Sequence, residues 1–216
     1  MKILFNVKKT LLLLGISALF ISCKPQISVK ALSENSADLS FSTGFSEEIS
    51  KTIHSISGLD PQIPLFNKDD ILVLLQNSGV TDVKASVPSP TEISTSGIFA
   101  TDTQIFSTGF LAISKNSLSF TIGPDQLKNF YNSLNEDAKS FLDLMMIPCL
   151  IDETMSPAEY KELLASMYGP AFAEEIVDGS ITIKLTSPDG KKQKKDTVKL
   201  GDLLTYTQAK SWEVKW

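Results

Sequence analysis

The chain has 216 residues, including 20 lysines, 25 acidic residues and one histidine, and its formal net charge is −5. Hydrophobic residues make up 42% of the chain, which is typical of a globular protein and excludes an intrinsically disordered one. The acidic balance and the lack of arginine argue against a nucleic-acid-binding protein, which would carry a basic surface.

Residues 1–22 have the pattern of a cleavable signal peptide. Lys2, Lys8 and Lys9 form a basic start, and an apolar run occupies residues 11–21. This run is too short for a permanent membrane span, which needs roughly 20 residues. The sequence therefore predicts a signal peptide over residues 1–22 and a mature domain over residues 23–216.

The end of this segment, Phe20-Ile21-Ser22-Cys23, resembles a bacterial lipobox, in which the cysteine receives a diacylglyceryl group before cleavage. Phe20 stands where most lipoboxes have leucine, and spirochaetal lipoboxes are less strict at this position. The resemblance implies lipidation of Cys23 and a palmitate-type acyl anchor. Two alternatives remain: a secreted protein without lipid, and an N-terminal helix buried in the fold.

Cleavage before Cys23 leaves 194 residues with a net charge of about −8, because three of the lysines belong to the signal peptide. Two or three acyl chains on one cysteine hold a protein firmly on a membrane. A strand pattern begins at Ile27, so we expect the domain to lie close to the membrane surface. The expected location is the bacterial cell envelope, membrane-anchored, on the periplasmic side or exposed at the surface.

The first part of the mature chain combines strand and helix patterns. Residues 27–32 and 37–43 alternate apolar and polar side chains on either side of a polar turn, which predicts a β-hairpin. Ser46 and Asn67 are N-cap residues that predict the starts of two short helices. Gly58 and Gly79 predict where these helices end.

Residues 80–123 return to strand chemistry. Residues 80–87 alternate, and the prolines at positions 88 and 90 predict that this strand ends there or lies at a sheet edge. Residues 105–114 are rich in isoleucine, phenylalanine and threonine, and residues 119–122 follow after a polar turn. This region predicts a second hairpin or a three-stranded meander.

A helical block follows, and the chain ends in strands. Pro124 is a favoured first residue of a helix, and Ser156-Pro157-Ala158-Glu159 combines a capping box with such a proline. Residues 181–185 and 212–216 again alternate. The order predicts a single α+β domain, with antiparallel β-hairpins or sheet at both ends of the chain and a helical block in the middle.

The helical block carries a resemblance to a group of known proteins. Leu142-Asp143-Leu144-Met145-Met146-Ile147-Pro148, Met155-Ser156-Pro157-Ala158-Glu159-Tyr160 and Met167-Tyr168-Gly169 are similar to uncharacterised spirochaetal envelope lipoproteins. Those proteins share a lipobox, an early hairpin, such a helical block and a closing strand with tryptophan. The resemblance implies envelope localisation and no known activity. The order of elements is also similar to that of lipid-binding envelope lipoprotein domains.

Few residues are suited to catalysis. His54 is the sole histidine, and we expect it at the surface or at the boundary of the core. With Cys23 acylated, Cys149 has no disulfide partner, and its apolar neighbours favour a small buried residue over a reactive thiol. One histidine and one free cysteine do not make a zinc site, and we expect no cofactor and no metal.

Three acidic pairs, at positions 69–70, 152–153 and 174–175, would serve a hydrolase if two carboxylates faced each other across a cleft. The first pair lies where a helix N-terminus favours negative charge, and the second precedes the capping box. These positions favour a structural role.

The one charge run is Lys191, Lys192, Lys194 and Lys195, beside a predicted turn. These lysines would form a solvated loop or a contact with anionic head groups. The aromatic side chains of Phe66, Phe99, Phe106 and Phe110 would form either plain core or the lining of an apolar pocket.

The sequence therefore predicts a non-catalytic binding or structural module, held on a membrane through acyl chains on Cys23. Its expected partner is an envelope protein or a lipid-like apolar ligand, and not nucleic acid. The alternatives are an envelope hydrolase that uses acidic residues and an assembly partner of another envelope protein.

Overall fold

The computed structural model describes residues 25–58, 60–134 and 136–216. The predicted signal peptide and Cys23 lie outside the described residues. Helices and strands each make up 35% of the structure, and the predicted α+β class is confirmed.

A six-stranded sheet is the larger layer of the fold. Its strands are β1 (Gln26–Ser33), β2 (Ser36–Gly44), β3 (Thr81–Ser89), β4 (Glu92–Ala100), β7 (Ser180–Thr186) and β8 (Gln193–Lys199). The strand order is β3-β4-β2-β1-β7-β8. Neighbouring strands are antiparallel except β1 and β7, which pair in parallel. This pair joins the first described strand to a strand about 150 residues later in the chain.

A smaller three-stranded sheet contains β5 (Leu111–Ile113), β6 (Ser117–Ile122) and β9 (Lys210–Lys215). Its order is β5-β6-β9, and both pairs are antiparallel. The last strand of the chain therefore pairs with a strand from its middle.

The helices of the described residues connect these strands. They are α1 (Glu47–Ser57), α2 (Lys68–Asn77), α3 (Gln104–Ser107), α4 (Pro124–Asn132), α5 (Glu136–Leu144), α6 (Pro157–Tyr168), α7 (Pro170–Asp178) and α8 (Leu200–Thr205).

Capping residues place the helix ends where the sequence predicts them. The Ser46 hydroxyl accepts a hydrogen bond from the Ile49 amide at the start of α1, and Gly58 ends that helix in the left-handed conformation with φ of 65°. Ser156 and Glu159 form both halves of the capping box at α6. These local signals act within one turn of chain, so tertiary packing does not override them.

The six-stranded sheet has two unlike faces. The face that we call the inner face carries buried apolar side chains such as Val29, Ala31, Ile183 and Leu185, and it packs against the helices and the smaller sheet in one continuous core. The opposite or outer face carries their neighbours in sequence, which are exposed or half-buried except for Thr186, whose exposure is 8%. Alternation of side chains along each strand produces this division.

The region from residue 80 to 123 differs from the prediction. Residues 105–114 are not one strand, because α3 occupies their first part and β5 covers three residues only. Strand β4 was not predicted. Its inner positions are Ile93, Thr95, Gly97 and Phe99, so a threonine and a glycine interrupt the apolar alternation that marks a strand. The edge position predicted from Pro88 is confirmed for β3.

Candidate functional site

An apolar cavity lies between the inner face of the large sheet and the elements that cover it. Its volume is about 120 Å³, which is comparable with the roughly 150 Å³ of an engineered apolar cavity that binds benzene. Side chains from both sheets and from α2 line this cavity. The space is therefore large enough to hold a slender apolar group.

The floor of the cavity follows strand β4. Ile93, Thr95 and Phe99 lie along it, and because a strand rises about 3.3 Å per residue, the first and last of these are about 20 Å apart. The neighbouring strands complete the floor with inner-face side chains, namely Ile27, Leu39, Phe41 and Ile181. The floor therefore extends along β4 and across strands β2, β1 and β7.

One wall of the cavity is helix α2. Ile71, Leu74, Leu75 and Ser78 line it, and their spacing of three, one and three residues places them on one side of the helix. Ile71 is buried and the other three are half-buried. Val73, on the same helix, does not line the cavity and is 55% exposed.

The other wall is aromatic. Phe110, Phe120 and Phe130 are each buried, and the Phe110 ring centroid lies 6.2 Å from that of Phe120 and 6.0 Å from that of Phe130. Ile105 and Ile122 extend this wall. Packed aromatic rings fix the shape of the wall and leave its surface apolar.

The polar groups of the cavity bond mainly to the protein itself. The hydroxyls of Ser78, Thr103 and Thr108 donate hydrogen bonds to the backbone carbonyls of residues 74, 100 and 104. The Gln104 amide donates to the Ser133 hydroxyl. No lysine, histidine, aspartate or glutamate is among the lining side chains of the described residues. The cavity can therefore hold a neutral apolar group but offers no counter-charge to an ion.

The four phenylalanines singled out in the sequence divide into two pairs. Phe99 and Phe110 line the cavity. Phe66 instead stacks on Phe45 in the core, with ring centroids 5.3 Å apart, and Phe106 is half-buried outside the lining. The wall formed by α2 was not predicted from the sequence. The pattern that indicates it is the helical spacing of Ile71, Leu74 and Leu75 within an apolar run.

The lysine run lies at the β7–β8 turn. The Ser187 amide donates to the Lys192 carbonyl at 2.9 Å, and Lys191 pairs with Asp189 at 3.8 Å. Hydrogen bonds from the Ser187 hydroxyl and the Lys191 amide lower the pKa of Asp189. Because β1 and β7 are parallel, this turn lies beyond the end of β1, at the opposite end of the sheet from Pro25.

Lys194 and Lys195 belong to strand β8 rather than to the turn. Lys195 pairs with Lys184 and shares its face, whereas Lys194 pairs with buried Leu185. The four lysines therefore do not form one surface.

His54 is buried, with 7% exposure, so the expectation of a surface or boundary residue is wrong. Its Nδ1 lies 2.7 Å from the Ser50 carbonyl oxygen and its Nε2 lies 2.8 Å from the Ile63 carbonyl oxygen. A neutral ring donates to one of these carbonyls and a protonated ring donates to both. The ring ties α1 to the following loop, which accounts for its burial without a catalytic role.

The acidic pairs lie at helix ends and in hydrogen bonds. Asp69 and Asp70 occupy the first turn of α2, and Glu175 accepts hydrogen bonds from the Ser46 amide and hydroxyl. Asp152 pairs with Lys128, whose Nζ lies 2.6 Å from Oδ1, and this bond raises the pKa of Lys128. None of these carboxylates lines the apolar cavity.

A second depression, of about 210 Å³, is polar and includes Lys128, Cys149, Asp152 and Glu153 among its lining residues. Cys149 is half-buried, and burial raises the pKa of its thiol to about 11. A thiol with a raised pKa is a poor nucleophile at neutral pH because little thiolate forms. This arrangement supports the structural role expected for Cys149.

Among residues 25–58, 60–134 and 136–216, no helix is long and apolar enough to cross a bilayer. In the same part of the chain, no three or more His, Cys, Asp or Glu side chains are grouped so as to hold a metal ion. Comparison with protein-family models, curated proteins and solved structures finds no match to this chain.

Proposed function

We propose that this chain is a membrane-anchored bacterial envelope lipoprotein that binds the hydrocarbon chain of an apolar ligand and does not act as an enzyme. The observation that carries this proposal is the cavity of about 120 Å³ beside β4, which is lined mainly by apolar side chains and, among the described residues, by no charged one. Ligand sites of this kind are mostly apolar with a few polar groups that orient the ligand.

The chemistry of the lining points to a neutral, chain-like ligand. Burial of an unpaired carboxylate or phosphate costs several kcal/mol or more, and no lysine in the described part of the chain lines the cavity to pair with one. The hydroxyls of Ser78, Thr103 and Thr108 already donate to backbone carbonyls. A methylene chain gains about 0.8 kcal/mol for each group buried. Any charged head group of the ligand therefore stays outside.

A binding role is better supported than hydrolysis. Glycoside hydrolysis, the reaction usual for paired carboxylates, needs two of them about 5–9 Å apart across an open cleft. Here Asp152 is held by Lys128, and Glu175 accepts hydrogen bonds from Ser46. The apolar cavity contains no carboxylate among the described residues.

A pair of tryptophan variants on α2 tests the cavity. Leu75→Trp puts extra bulk into the lining, whereas Val73→Trp adds the same bulk to the solvent side of the same helix. Because overpacking a site costs about 1–3 kcal/mol, we expect Leu75→Trp to weaken binding of the small neutral hydrocarbon benzene by about tenfold or more. Titration of the full chain measures this affinity.

Val73→Trp is expected to bind benzene as the unchanged chain does. Equal binding by all three proteins, or no binding by any, would contradict a ligand site in this cavity. A head-group series sharpens the result: a long-chain alcohol should compete with the probe better than the fatty acid of equal length, since its head group carries no charge. Mass spectrometry of lipids that co-purify with the chain would identify the natural ligand.

The anchor is tested separately. We expect Cys23→Ala to move the protein out of the membrane fraction, because the acyl chains attach to this sulfur. Unchanged fractionation of the variant would contradict lipidation at Cys23 and leave the cavity proposal intact.

A further inference from the structure

The outer face of the six-stranded sheet carries a continuous row of polar side chains across all six strands. The pairing registers place these residues side by side in the order Lys84, Ser96, Ser40, Ser28, Lys184, Lys195. None of the six is buried. Neighbouring strands are about 4.8 Å apart, so the row extends over about 24 Å.

A second complete row lies two residues further along each strand. It consists of Ser86, Ser94, Ser42, Gln26, Thr182 and Thr197. These six side chains are also exposed or half-buried. The two rows form what we call the hydroxyl–lysine face: twelve positions with hydroxyls, one amide and three lysines, and without a carboxylate or an apolar side chain.

The three lysines of this face are available to a partner. No ion pair joins Lys84, Lys184 or Lys195 to a carboxylate within the described residues, whereas eight other lysines of that part, Lys128 and Lys161 among them, are paired. The rows on either side of these two also contain charged residues. One row has Lys30 opposite Asp38, and the other has Glu92 at the end of β4.

The charge of this face is opposite to that of the helical side. Helices α6 and α7 together contain five carboxylates and one lysine, and the whole chain has a net charge of −5. A protein with such a distribution turns its basic side toward an anionic surface and its acidic side away.

We propose that the hydroxyl–lysine face docks on the anionic head groups of the bilayer that holds the acyl anchor. The inference rests on the proposed function for the anchor at Cys23. Gln26, which belongs to the face, comes three positions after Cys23, and three steps of extended chain reach about 10 Å at most. This reach is close to the Debye length of about 8 Å at physiological salt, so the tether keeps the face within electrostatic range.

The chemistry of the face matches that of phosphate head groups. Lysine ammonium groups attract the phosphate charge, and serine and threonine hydroxyls donate hydrogen bonds to phosphate oxygens. A flat row of short side chains lets several head groups make contact at once. The turn lysines Lys191 and Lys192 lie beyond the far end of β1, outside the two rows.

Amine labelling of the full chain on vesicles tests this orientation. The acylated protein is reconstituted into vesicles of phosphatidylcholine alone, or of phosphatidylcholine mixed with phosphatidylglycerol, and lysine modification is followed by mass spectrometry. We expect Lys84, Lys184 and Lys195 to be labelled about fivefold more slowly on the anionic vesicles. High salt should remove the difference. Lys68 and Lys115, which are exposed and lie off this sheet, serve as matched controls with unchanged rates.

Equal labelling of the three face lysines on both vesicle types would overturn the proposal, as would slowing confined to Lys191 and Lys192. Flotation with phosphatidylcholine vesicles depends on the acyl anchor alone. A chain that floats but shows no slower labelling of the three lysines would therefore contradict docking of the face and leave the anchor intact. If a soluble anionic polysaccharide protects the three lysines as well as the bilayer does, docking on lipid is also overturned. In a variant with K84Q, K184Q and K195Q, the flanking Lys30 should be labelled equally fast on both vesicle types, whereas K68Q with K115Q should keep the slower labelling of the three face lysines on anionic vesicles.

Discussion

The two faces of the six-stranded sheet come from the same strands and have opposite chemistry. Val29 and Phe41 on the inner face are buried, whereas Ser28 and Ser42, one residue away in sequence, lie on the outer face. The inner face borders the apolar cavity beside β4. The outer face has two complete rows without an apolar side chain. Period-two alternation therefore lets one sheet provide both a ligand cavity and a polar surface.

The difference also bears on how a ligand would reach the cavity. The two proposals together place the sheet between the bilayer and the cavity, because the cavity is on the inner side and the hydroxyl–lysine face is on the outer side. A hydrocarbon chain would then enter from the side of the molecule that faces away from the bilayer. Head-group selectivity at the cavity and anion selectivity at the outer face should accordingly be independent of one another.

The largest expected difference between the two faces is in the stability cost of placing the same carboxylate on each. Val29→Asp buries an unpaired charge at a position with 0% exposure, and we expect it to cost several kcal/mol, on the order of the whole stability of a domain. Ser28→Asp adds the charge to the outer face beside Lys184, and its expected cost is within about 0.5 kcal/mol. Urea unfolding followed by the fluorescence of buried Trp212 measures both.

Similar losses in the two variants would contradict the assignment of the faces. Ser28→Asp has a second use, because it lowers the net charge of the hydroxyl–lysine face while the fold is retained. If this variant labels like the unchanged chain on anionic vesicles, the electrostatic account of docking is wrong.

A smaller contrast is expected on strand β4. A Cβ atom at Gly97 would lie 2.6 Å from Val80 Cγ1 and 3.1 Å from the Thr81 carbonyl oxygen, on the crowded inner face. Gly97→Ala should therefore cost about 1–3 kcal/mol, whereas Ser96→Ala, on the outer face, should change the unfolding free energy by less than about 0.5 kcal/mol.

The Gly97 prediction has an internal check. Val80→Ala removes the methyl that the new Cβ would meet, so the double variant should lose less free energy than the two single changes together. Additive losses would show that the Cβ at position 97 does not meet Val80 as described.

Local signals predicted the fold well where one turn of chain decides the outcome. The caps at Ser46, Asn67 and Ser156 and the first hairpin are all present. Two features escaped prediction, one because it depends on distant residues and the other because its own sequence pattern is weak. The parallel pairing of β1 with β7 joins segments about 150 residues apart, and periodicity carries no information on strand partners. Strand β4 is hidden by Thr95 and Gly97 at inner-face positions.

The candidate site was predictable only in part. Phe99 and Phe110 were recognised as possible lining residues, but an apolar residue in a core and one in a cavity have the same pattern. Which of them borders empty space depends on how α2 and the smaller sheet meet the large sheet. The two rows of the hydroxyl–lysine face likewise require the registers of five strand pairs, which single-strand alternation does not give.

The smallest expected effect concerns β8, an edge strand whose successive residues alternate between the inner and the outer face. Asp196 points to the inner side, and its Oδ2 accepts a hydrogen bond from the Trp212 indole at 2.8 Å and lies 3.4 Å from Lys210 Nζ. The indole N–H, with smaller contributions from the Thr197 amide and Lys210, lowers the pKa of this carboxyl. Its neighbour Lys195 lies on the outer face.

A carboxyl whose pKa is lower in the folded chain than in the unfolded chain stabilises the fold at pH values above its ordinary pKa. That contribution is lost as the pH falls through the ordinary pKa and then through the lowered one. Asp196→Asn keeps an oxygen acceptor for the indole but has no charge, so we expect a slight loss at neutral pH and a shallower decline of stability in acid. Urea midpoints measured from neutral to acidic pH test this, with Lys195→Gln as the control that keeps the decline of the unchanged chain. An equally steep decline in Asp196→Asn would mean that the Trp212 contact does not favour the ionised carboxylate. Charge on the inner side of β8 would then affect stability no more than charge on the outer side does.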